Sequence, residues 1–261
     1  MAFVPADSAK PFDIVNQAGR GNALLICDHA SNAVPSALAD LGLSRDILQR
    51  HIAWDIGAAE VTRRLAQLLD GPALLAGFSR LVIDPNRPEG HDHSIRAESD
   101  GIFVPGNAAI DAAAAERRAE AWFRPYHAAV AEQIARLGAG GVPAIIAVHS
   151  FTPVMAGHVR PWHAGVLHAE DTRLARAVLE AFAAFPDLVV GDNQPYTGFS
   201  HESYTLPHHA ERSGLPNVAL EVRQDLIDTP TGAEHWARLL AEVLRAPLAD
   251  GSLRRRLSRV S

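Results

Sequence analysis

The chain has 261 residues, of which 48% are apolar and 21% are charged, and this composition is typical of a globular protein. Its 24 Lys and Arg residues against 30 Asp and Glu residues give a net charge of −6, so it lacks the basic surplus that nucleic-acid binders use against phosphates. The longest apolar run, at residues 142–148, is too short for a helix that crosses a bilayer. We therefore expect small molecules as partners, not nucleic acids or membranes.

Two features predict the cellular location. Cys27 is the single cysteine, so the chain cannot form an internal disulfide. Its first residues do not show the basic segment followed by an apolar segment that is typical of a secretory signal. We therefore expect a cytoplasmic protein, and no pattern in the sequence indicates its oligomeric state.

Short apolar runs alternate along the chain with segments of helical periodicity. In chain order, the predicted elements are a strand at 23–27, a helix at 44–69, strands at 72–76 and 80–84, a long loop at 89–106, a helix at 107–137, strands at 144–148 and 165–168, a helix from about 171, a strand at 188–190, a polar loop at 191–207, a strand at 218–223 and a helix that ends near 244. Ser44 and Asn107 are the predicted N-terminal caps of the first two helices.

The first predicted helix places an acidic residue on its apolar stripe. Leu48, Ile52, Asp55 and Ala59 follow one another at spacings of four, three and four residues, so they share one face. A buried carboxylate is costly unless it is paired, and Asp55 therefore needs a cation or hydrogen-bond donors. We predict that Asp55 binds a metal. The alternatives are an ion pair with His51 or a position at the rim of the helix face.

The alternation of strands and helices predicts an α/β fold. We expect a single-domain, three-layer α/β/α architecture with a mixed, mostly parallel central sheet. Because no internal repeat or linker divides the chain, residues 1–261 are predicted to form one domain, with 1–20 as a peripheral lead-in and 246–261 as a peripheral tail. In such sheets the functional crevice lies outside the carboxyl ends of the strands.

Polar side chains follow four of the predicted strands, and we expect them to meet in this crevice. Two of them, His29 and His149, are histidines that could each give an imidazole nitrogen to a metal. Together with Asp55 they supply the three protein ligands of a catalytic zinc site. The other polar residues at these strand ends are Asp28, Asp84, Asn86, Arg87, Ser150, Glu221 and Arg223.

Five segments, taken in order, resemble the N-formylglutamate amidohydrolase family, whose members look like distant relatives of the zinc carboxypeptidases. The segments are LICDHASN at 25–32, HIAWDIGA at 51–58, SRLVIDPNRP at 79–88, VHSF at 148–151 and LEVRQDLI at 220–227. The resemblance implies a phosphorylase/hydrolase-like fold and metal-dependent hydrolysis of the amide of an N-acyl amino acid, with zinc as the expected metal. The reaction that names the family releases formate from N-formyl-L-glutamate during histidine catabolism.

The resemblance also implies roles for individual residues. His29 and His149 correspond to the two histidine ligands of the zinc carboxypeptidases. Asn86 and Arg87 look like the clamp that those enzymes place on the substrate carboxylate, and Glu221 stands where they carry the catalytic base. In the implied mechanism, Glu221 takes a proton from a water that the metal activates and returns it to the departing amine.

Two departures from the family patterns concern the third metal ligand. The zinc carboxypeptidase pattern has a glutamate three residues after its first histidine, where this chain has Asn32. The formylglutamate enzymes read Asp-Trp-His where this chain reads Ala53-Trp54-Asp55. We therefore assign the third ligand to Asp55, and Asn32 is the alternative.

An acidic substrate requires cationic partners, and a guanidinium binds a carboxylate at two points. The predicted partners are Arg80, Arg87 and Arg223, with Tyr204 as a further substrate contact; Arg80 could equally be a surface residue with a packed stem. Arg96, in the long loop, either closes over the substrate or is solvated. Two rival functions stay open: a metal-dependent hydrolase of another acyl-amino acid or small peptide, and a non-catalytic protein that binds an acidic metabolite.

Overall fold

The computed structural model describes residues 9–196, 202–253 and 255–257. Parts of the predicted lead-in, of the loop at 191–207 and of the tail lie outside these ranges. Within them, no helix combines the length and the apolar character that crossing a membrane requires.

The strands are β1 (Phe12–Val15), β2 (Ala23–Cys27), β3 (Ala73–Ala76), β4 (Glu98–Ser99), β5 (Ile102–Phe103), β6 (Ala144–Phe151), β7 (Val154–Met155), β8 (His158–Val159), β9 (Ala164–Leu167), β10 (Val190–Asp192) and β11 (Asn217–Arg223). The helices are α1 (Arg45–Leu48), α2 (Ala58–Leu68), α3 (Ala112–Arg118), α4 (Arg124–Gly138), α5 (Arg173–Phe182), α6 (Thr205–His209) and α7 (Pro230–Ala249).

Seven of these strands form one mixed sheet in the order β1-β3-β2-β6-β11-β9-β10. Strands β3, β2, β6 and β11 are parallel to one another, whereas β1 is antiparallel to β3 and β9 is antiparallel to β11. The continuous apolar runs of β2 and β6 are typical of strands that are covered on both faces. The mixed, mostly parallel sheet is therefore confirmed, and the carboxyl ends of β2, β6 and β11 lie side by side.

Helices cover both faces of the sheet, because successive residues of a strand point to opposite faces. On one face, α2, α5 and α7 pack against a core that includes Leu25, Ile146 and Leu220. On the other face, α4 packs against a core that includes Leu24 and Ile145. The predicted three-layer α/β/α architecture is confirmed, and both layers of helices share the one sheet.

The single helix predicted at residues 44–69 is wrong. Ser44 caps only the short helix α1, and the chain then turns until α2 begins. Gly57 interrupts the helix because its φ of +81° lies in the left-handed region, and a Cβ at this position would lie 2.2 Å from the carbonyl oxygen of Ile227. Asp55 therefore lies in a turn and not on the apolar stripe of a helix.

Two further predicted elements differ from the structure. Residues 80–84 do not form a strand: residues 80–82 make a turn, and the backbone N–H of Asp84 donates to the carbonyl oxygen of Ser94, which lies in the following loop. Asn107 does not cap a helix, because its side chain is buried and donates to two backbone carbonyls. The side chain of Asp111 caps α3 instead.

The two segments that were predicted to be peripheral contribute to the fold. Strand β1 lies within the predicted lead-in and pairs with β3 along the edge of the sheet. Helix α7 continues to Ala249, and Leu248 at the start of the predicted tail is buried in the core on one face of the sheet. Strand β1 has only four residues, all of them partly exposed at the edge of the sheet, so its sequence carries a weak signal.

Candidate metal centre and active site

Neighbouring strands and one turn bring the predicted metal ligands together. His29 follows β2 by two residues, and His149 lies within β6. Glu221 of β11 stands directly opposite His149 in the parallel strand pairing. The turn that carries Asp55 is held in place because the backbone N–H of Asp55 donates to the carbonyl oxygen of His29 at 2.9 Å. All four side chains are buried.

The two histidines converge on one oxygen of Asp55. Nδ1 of His149 lies 2.9 Å from Oδ2 of Asp55, and Nδ1 of His29 lies 3.3 Å from the same oxygen. One potential ligand atom from each of the three residues lies within 4.8 Å of the other two. Burial raises the pKa of Asp55, but His29 and His149 lower it by more, so the carboxylate is ionised.

A second carboxylate lies behind each imidazole. Oδ1 of Asp84 lies 2.8 Å from Nε2 of His29, and Oδ2 of Asp28 lies 3.6 Å from Nε2 of His149. Burial raises the pKa of Asp84, but Arg80 and His29 together bring it well below its ordinary value. Carboxylates in these positions fix the orientation and the tautomer of a ligating histidine.

Asp28 is the centre of a buried hydrogen-bond network. Its Oδ1 accepts from the hydroxyl of Tyr126 at 2.7 Å and from the hydroxyl of Thr205 at 2.9 Å. Its Oδ2 faces His149 and accepts no hydrogen bond from the described residues. No sequence pattern indicates this network, because Tyr126 and Thr205 are 98 and 177 residues away from Asp28 along the chain.

Glu221 is a buried carboxylate with an unpartnered oxygen. Its Oε2 is buried and has no hydrogen-bond partner in the described part of the chain. Burial raises the pKa of Glu221 to about 7, although the neighbouring His149 lowers it. A carboxylate with this pKa can take up and release a proton near neutral pH, which is the property of a general base.

The donor set fits a divalent metal. Two imidazole nitrogens and one carboxylate are the number and the types of ligand that hold zinc in catalytic sites. Each imidazole has a carboxylate at its other nitrogen, and Glu221, opposite His149, keeps a buried oxygen without a hydrogen-bond partner in the described part of the chain. The side-chain amide of the alternative ligand Asn32 is engaged elsewhere, because its Nδ2 donates to the carbonyl oxygen of Leu48 at 3.0 Å.

A cavity of about 660 Å³ opens over these residues, and three arginines line it: Arg80, Arg87 and Arg96. The guanidinium of Arg80 donates to Oδ2 of Asp84 at 2.8 Å and to Oδ1 of Asp55 at 3.4 Å. Arg80 therefore holds two carboxylates of the site in position while one side of it borders the cavity.

Asn86 and Arg87 also border this cavity. Oδ1 of Asn86 accepts from the backbone N–H groups of Tyr204 and Thr205, at 3.0 and 3.1 Å, and so holds the start of α6 against the cavity. A guanidinium N–H of Arg87 donates to the carbonyl oxygen of Asn86 at 2.8 Å, and Nε of Arg87 lies 3.7 Å from the carboxylate of Glu202. The guanidinium of Arg87 thus borders the cavity with only part of its hydrogen-bonding capacity used.

Two of the predicted substrate-binding residues, Arg223 and Tyr204, are not among the residues that line the cavity. The guanidinium of Arg223 pairs with Asp225 at 2.8 Å, so it turns away although it lies two residues after Glu221 in the same strand. The ring of Tyr204 stacks on His208 with 4.5 Å between the ring centroids. The geometry therefore lends no support to a substrate contact for either residue.

The comparison with known families covers the part of the chain that contains this site. The sequence model described as N-formylglutamate amidohydrolase matches residues 21–228. The chain belongs to the N-formylglutamate amidohydrolase family. This membership makes it an amidohydrolase, and the matched range contains His29, Asp55, His149 and Glu221.

Solved structures resemble this family member over most of its length. Gene product Atu2144 from Agrobacterium tumefaciens is 37% identical, with 95% of this chain and 98% of that chain covered and a TM-score of 0.88. N-formylglutamate amidohydrolase from Ralstonia eutropha JMP134 is 19% identical, with 91% and 97% covered and a TM-score of 0.62, which shows a common fold. A metallo-carboxypeptidase from Burkholderia cenocepacia is only weakly similar, at 13% identity over 93% and 66% of the two chains and a TM-score of 0.42. No curated protein matches the sequence closely enough to count as a relative.

Proposed function

We propose that this protein hydrolyses the amide bond of an N-acyl amino acid, with N-formyl-L-glutamate as the substrate and formate and L-glutamate as the products. The observation that carries the proposal is the convergence of two imidazoles on Asp55, with the buried acid Glu221 opposite His149. Membership of the family supports the same class of reaction.

His29, Asp55 and His149 are the residues that would hold the metal, for which we propose zinc. A divalent metal bound there supplies Lewis acidity, which polarises an acyl carbonyl and makes water a stronger acid. Asp84 and Asp28 orient the two imidazoles from behind, and Arg80 holds Asp84 and Asp55 in place.

Glu221 is the proposed general base. It takes one proton from the attacking water, whose oxygen forms a bond to the acyl carbon. When the bond between that carbon and the amide nitrogen breaks, Glu221 returns the proton to the leaving amine. The raised pKa of Glu221, about 7, suits both steps, because the group has to gain and lose a proton in each turnover.

The arginines are proposed to bind and stabilise negative charge. Arg87, with the side-chain amide of Asn86 beside it, binds a carboxylate of the substrate. Arg80 also lines the cavity, and its positive charge stabilises the negative charge that develops on the acyl oxygen. Both interactions favour a small acidic molecule over a neutral one.

The test combines metal analysis with a direct assay of formate. Protein that is loaded with zinc and then freed of excess metal is given N-formyl-, N-acetyl- and N-succinyl-L-glutamate in turn, and the release of each acid is measured. We expect formate release that a strong chelator abolishes and added zinc restores. Faster release of acetate or succinate would instead support the rival hydrolase. Binding of glutamate without hydrolysis of any substrate would support the non-catalytic rival.

A further inference from the structure

The three arginines that line the cavity differ in what their guanidinium groups contact. Arg80 is ion-paired with Asp55 and Asp84. Arg87 has one longer contact with a carboxylate, at 3.7 Å. Arg96 has no acid partner among the described residues, and its Nε is buried without a hydrogen bond. Because the rest of the side chain is partly exposed and lines the cavity, its charge is available to an anionic ligand that enters there.

The charges around Arg96 strengthen this conclusion. Burial lowers the pKa of Arg96, and the positive charges of Arg80 and Arg87 lower it further. Two acids, Asp84 and Glu202, act in the opposite direction, but both are engaged elsewhere. Asp84 is paired with Arg80, and Glu202 is bonded to a histidine at 3.0 Å. An anion that enters the cavity beside Arg96 therefore meets a guanidinium that no acid of the described residues neutralises.

The backbone at Arg96 is fixed by contacts inside the protein. Nδ2 of the buried Asn107 donates to the carbonyl oxygen of Arg96 at 2.8 Å and to that of Leu81 at 2.9 Å. The guanidinium of Arg118 donates to Oδ1 of Asn107 at 2.7 Å and so orients the amide. The base of the Arg96 side chain is thus placed in advance, and less freedom is lost when a ligand binds.

We propose that Arg96 is a specificity-determining residue that binds a second carboxylate of the substrate, while Arg87 and Asn86 bind the first. This inference rests on the proposed function, and it assigns to Arg96 the distinction between an acidic and a neutral side chain of the substrate. A guanidinium binds a carboxylate through two charge-assisted hydrogen bonds, which a neutral carboxamide of the same shape cannot provide. A cavity of about 660 Å³ has room for both ends of such a molecule.

The proposal is tested with two substrates that differ only in the second carboxylate, N-formyl-L-glutamate and N-formyl-L-glutamine. The native protein should prefer the glutamate derivative by about 10- to 100-fold in kcat/KM, which is the value of a charge-assisted hydrogen-bonded pair. In Arg96→Gln this preference should fall to about one, through a higher KM for the glutamate derivative with kcat and the glutamine derivative almost unchanged. The preference of Arg96→Lys should lie between those of the native protein and Arg96→Gln, because lysine keeps the positive charge but cannot make two parallel hydrogen bonds to a carboxylate.

Arg238→Gln is the matched control. Arg238 is an exposed arginine that pairs with Glu234 at 2.7 Å, and neither residue lines the cavity. We expect this variant to keep the native preference for the glutamate derivative. The proposal would be overturned if Arg96→Gln lost activity equally on both substrates, if it lost activity on neither, or if Arg238→Gln lost the preference to the same extent.

A binding measurement separates this proposal from the proposed reaction. Calorimetry with free L-glutamate and free L-glutamine measures whether Arg96 distinguishes the two, whether or not the protein hydrolyses any amide. Tighter binding of L-glutamate that disappears in Arg96→Gln supports the role of Arg96 even if no formate is released, and in that case only the reaction is refuted. Equal affinity of the native protein for both amino acids would refute the role of Arg96 and leave the reaction untouched.

Discussion

Oδ1 of Asp84 lies 2.8 Å from Nε2 of His29, while Nδ1 of the same ring faces Asp55. Asp84 is itself held on both oxygens: the backbone N–H of Asn86 donates to Oδ1 at 2.9 Å, and Arg80 donates to Oδ2 at 2.8 Å. The imidazole is therefore oriented by a carboxylate that cannot easily move. This relationship makes Asp84 a positioning residue for the metal centre.

Asp84→Asn should weaken zinc binding by about 10- to 100-fold, the usual effect of changing a group behind a ligating histidine. The asparagine keeps the shape but loses the charge that pairs with Arg80 and favours the correct tautomer of His29. Competition with a chromophoric chelator measures the dissociation constant. Asp192→Asn is the control, because Asp192 contacts His168 at 2.8 Å on the exposed surface. Equal zinc affinity of native protein and Asp84→Asn would contradict the role of Asp84.

Glu221→Gln should separate metal binding from catalysis. The glutamine cannot accept the proton of the water, so kcat should fall by about 10²- to 10⁴-fold. Zinc content should stay at the native level, since Glu221 is not among the three proposed ligands. Single-substrate kinetics and metal analysis of the same preparation check both points. Native turnover in this variant would show that another group is the base.

Gly57→Ala should destabilise the protein more than a glycine change at a comparable backbone angle. Both Gly57 and Gly90 have positive φ values, +81° and +79°. A Cβ at Gly57 would lie 2.2 Å from the carbonyl oxygen of Ile227, whereas a Cβ at Gly90 meets nothing within 4 Å. We expect Gly90→Ala to cost about 1–2 kcal/mol through backbone strain and Gly57→Ala to cost more. Urea unfolding measures both, and equal losses would contradict this explanation of the turn before α2.

A pair of buried histidines should make stability depend on pH. Nε2 of His127 lies 2.9 Å from the carbonyl oxygen of Pro85, so this nitrogen carries the hydrogen and Nδ1 accepts from Nε2 of His209 at 3.0 Å. Burial lowers the pKa of His127 from 6.5 to about 4 and that of His209 to about 3. Both side chains are therefore neutral in the folded protein near neutral pH.

Between pH 6.5 and 4 the unfolded chain binds these protons and the folded protein does not, so the free energy of unfolding falls as the pH is lowered. Each such histidine contributes a slope of up to about 1.4 kcal/mol per pH unit. His209→Gln keeps a donor for His127 and removes one titrating group, so the slope should decrease by about that amount. Urea unfolding across this pH range compares the two proteins, and parallel pH profiles would refute the assignment.

The sequence predicts the part of the site that lies at the carboxyl ends of the strands. His29, His149 and Glu221 lie in or directly after continuous apolar strands, and parallel pairing brings such positions to one edge of the sheet. The mostly parallel pairing of the strands follows from their alternation with helices. These features depend on local patterns, which a single sequence carries.

Contacts between distant segments could not be predicted in this way. Asp55 is grouped with the two histidines as expected, but the helical stripe that suggested it does not exist. Its position depends on the left-handed turn at Gly57 and on a backbone hydrogen bond to His29. The bond between Asp28 and Tyr126 spans 98 residues and has no local pattern. Such positions are set by tertiary packing, which periodicity does not encode.

The zinc content of the native protein and of two single variants tests the central claim most directly. Native protein, His149→Ala and Asp55→Ala are loaded with zinc, passed through a desalting column and analysed for metal and for folding by circular dichroism. We predict about one zinc per chain in the native protein and almost none in folded variants, because each lacks one of three ligands. Native protein without bound zinc, or folded variants that keep a full equivalent, would contradict a metal centre formed by His29, Asp55 and His149.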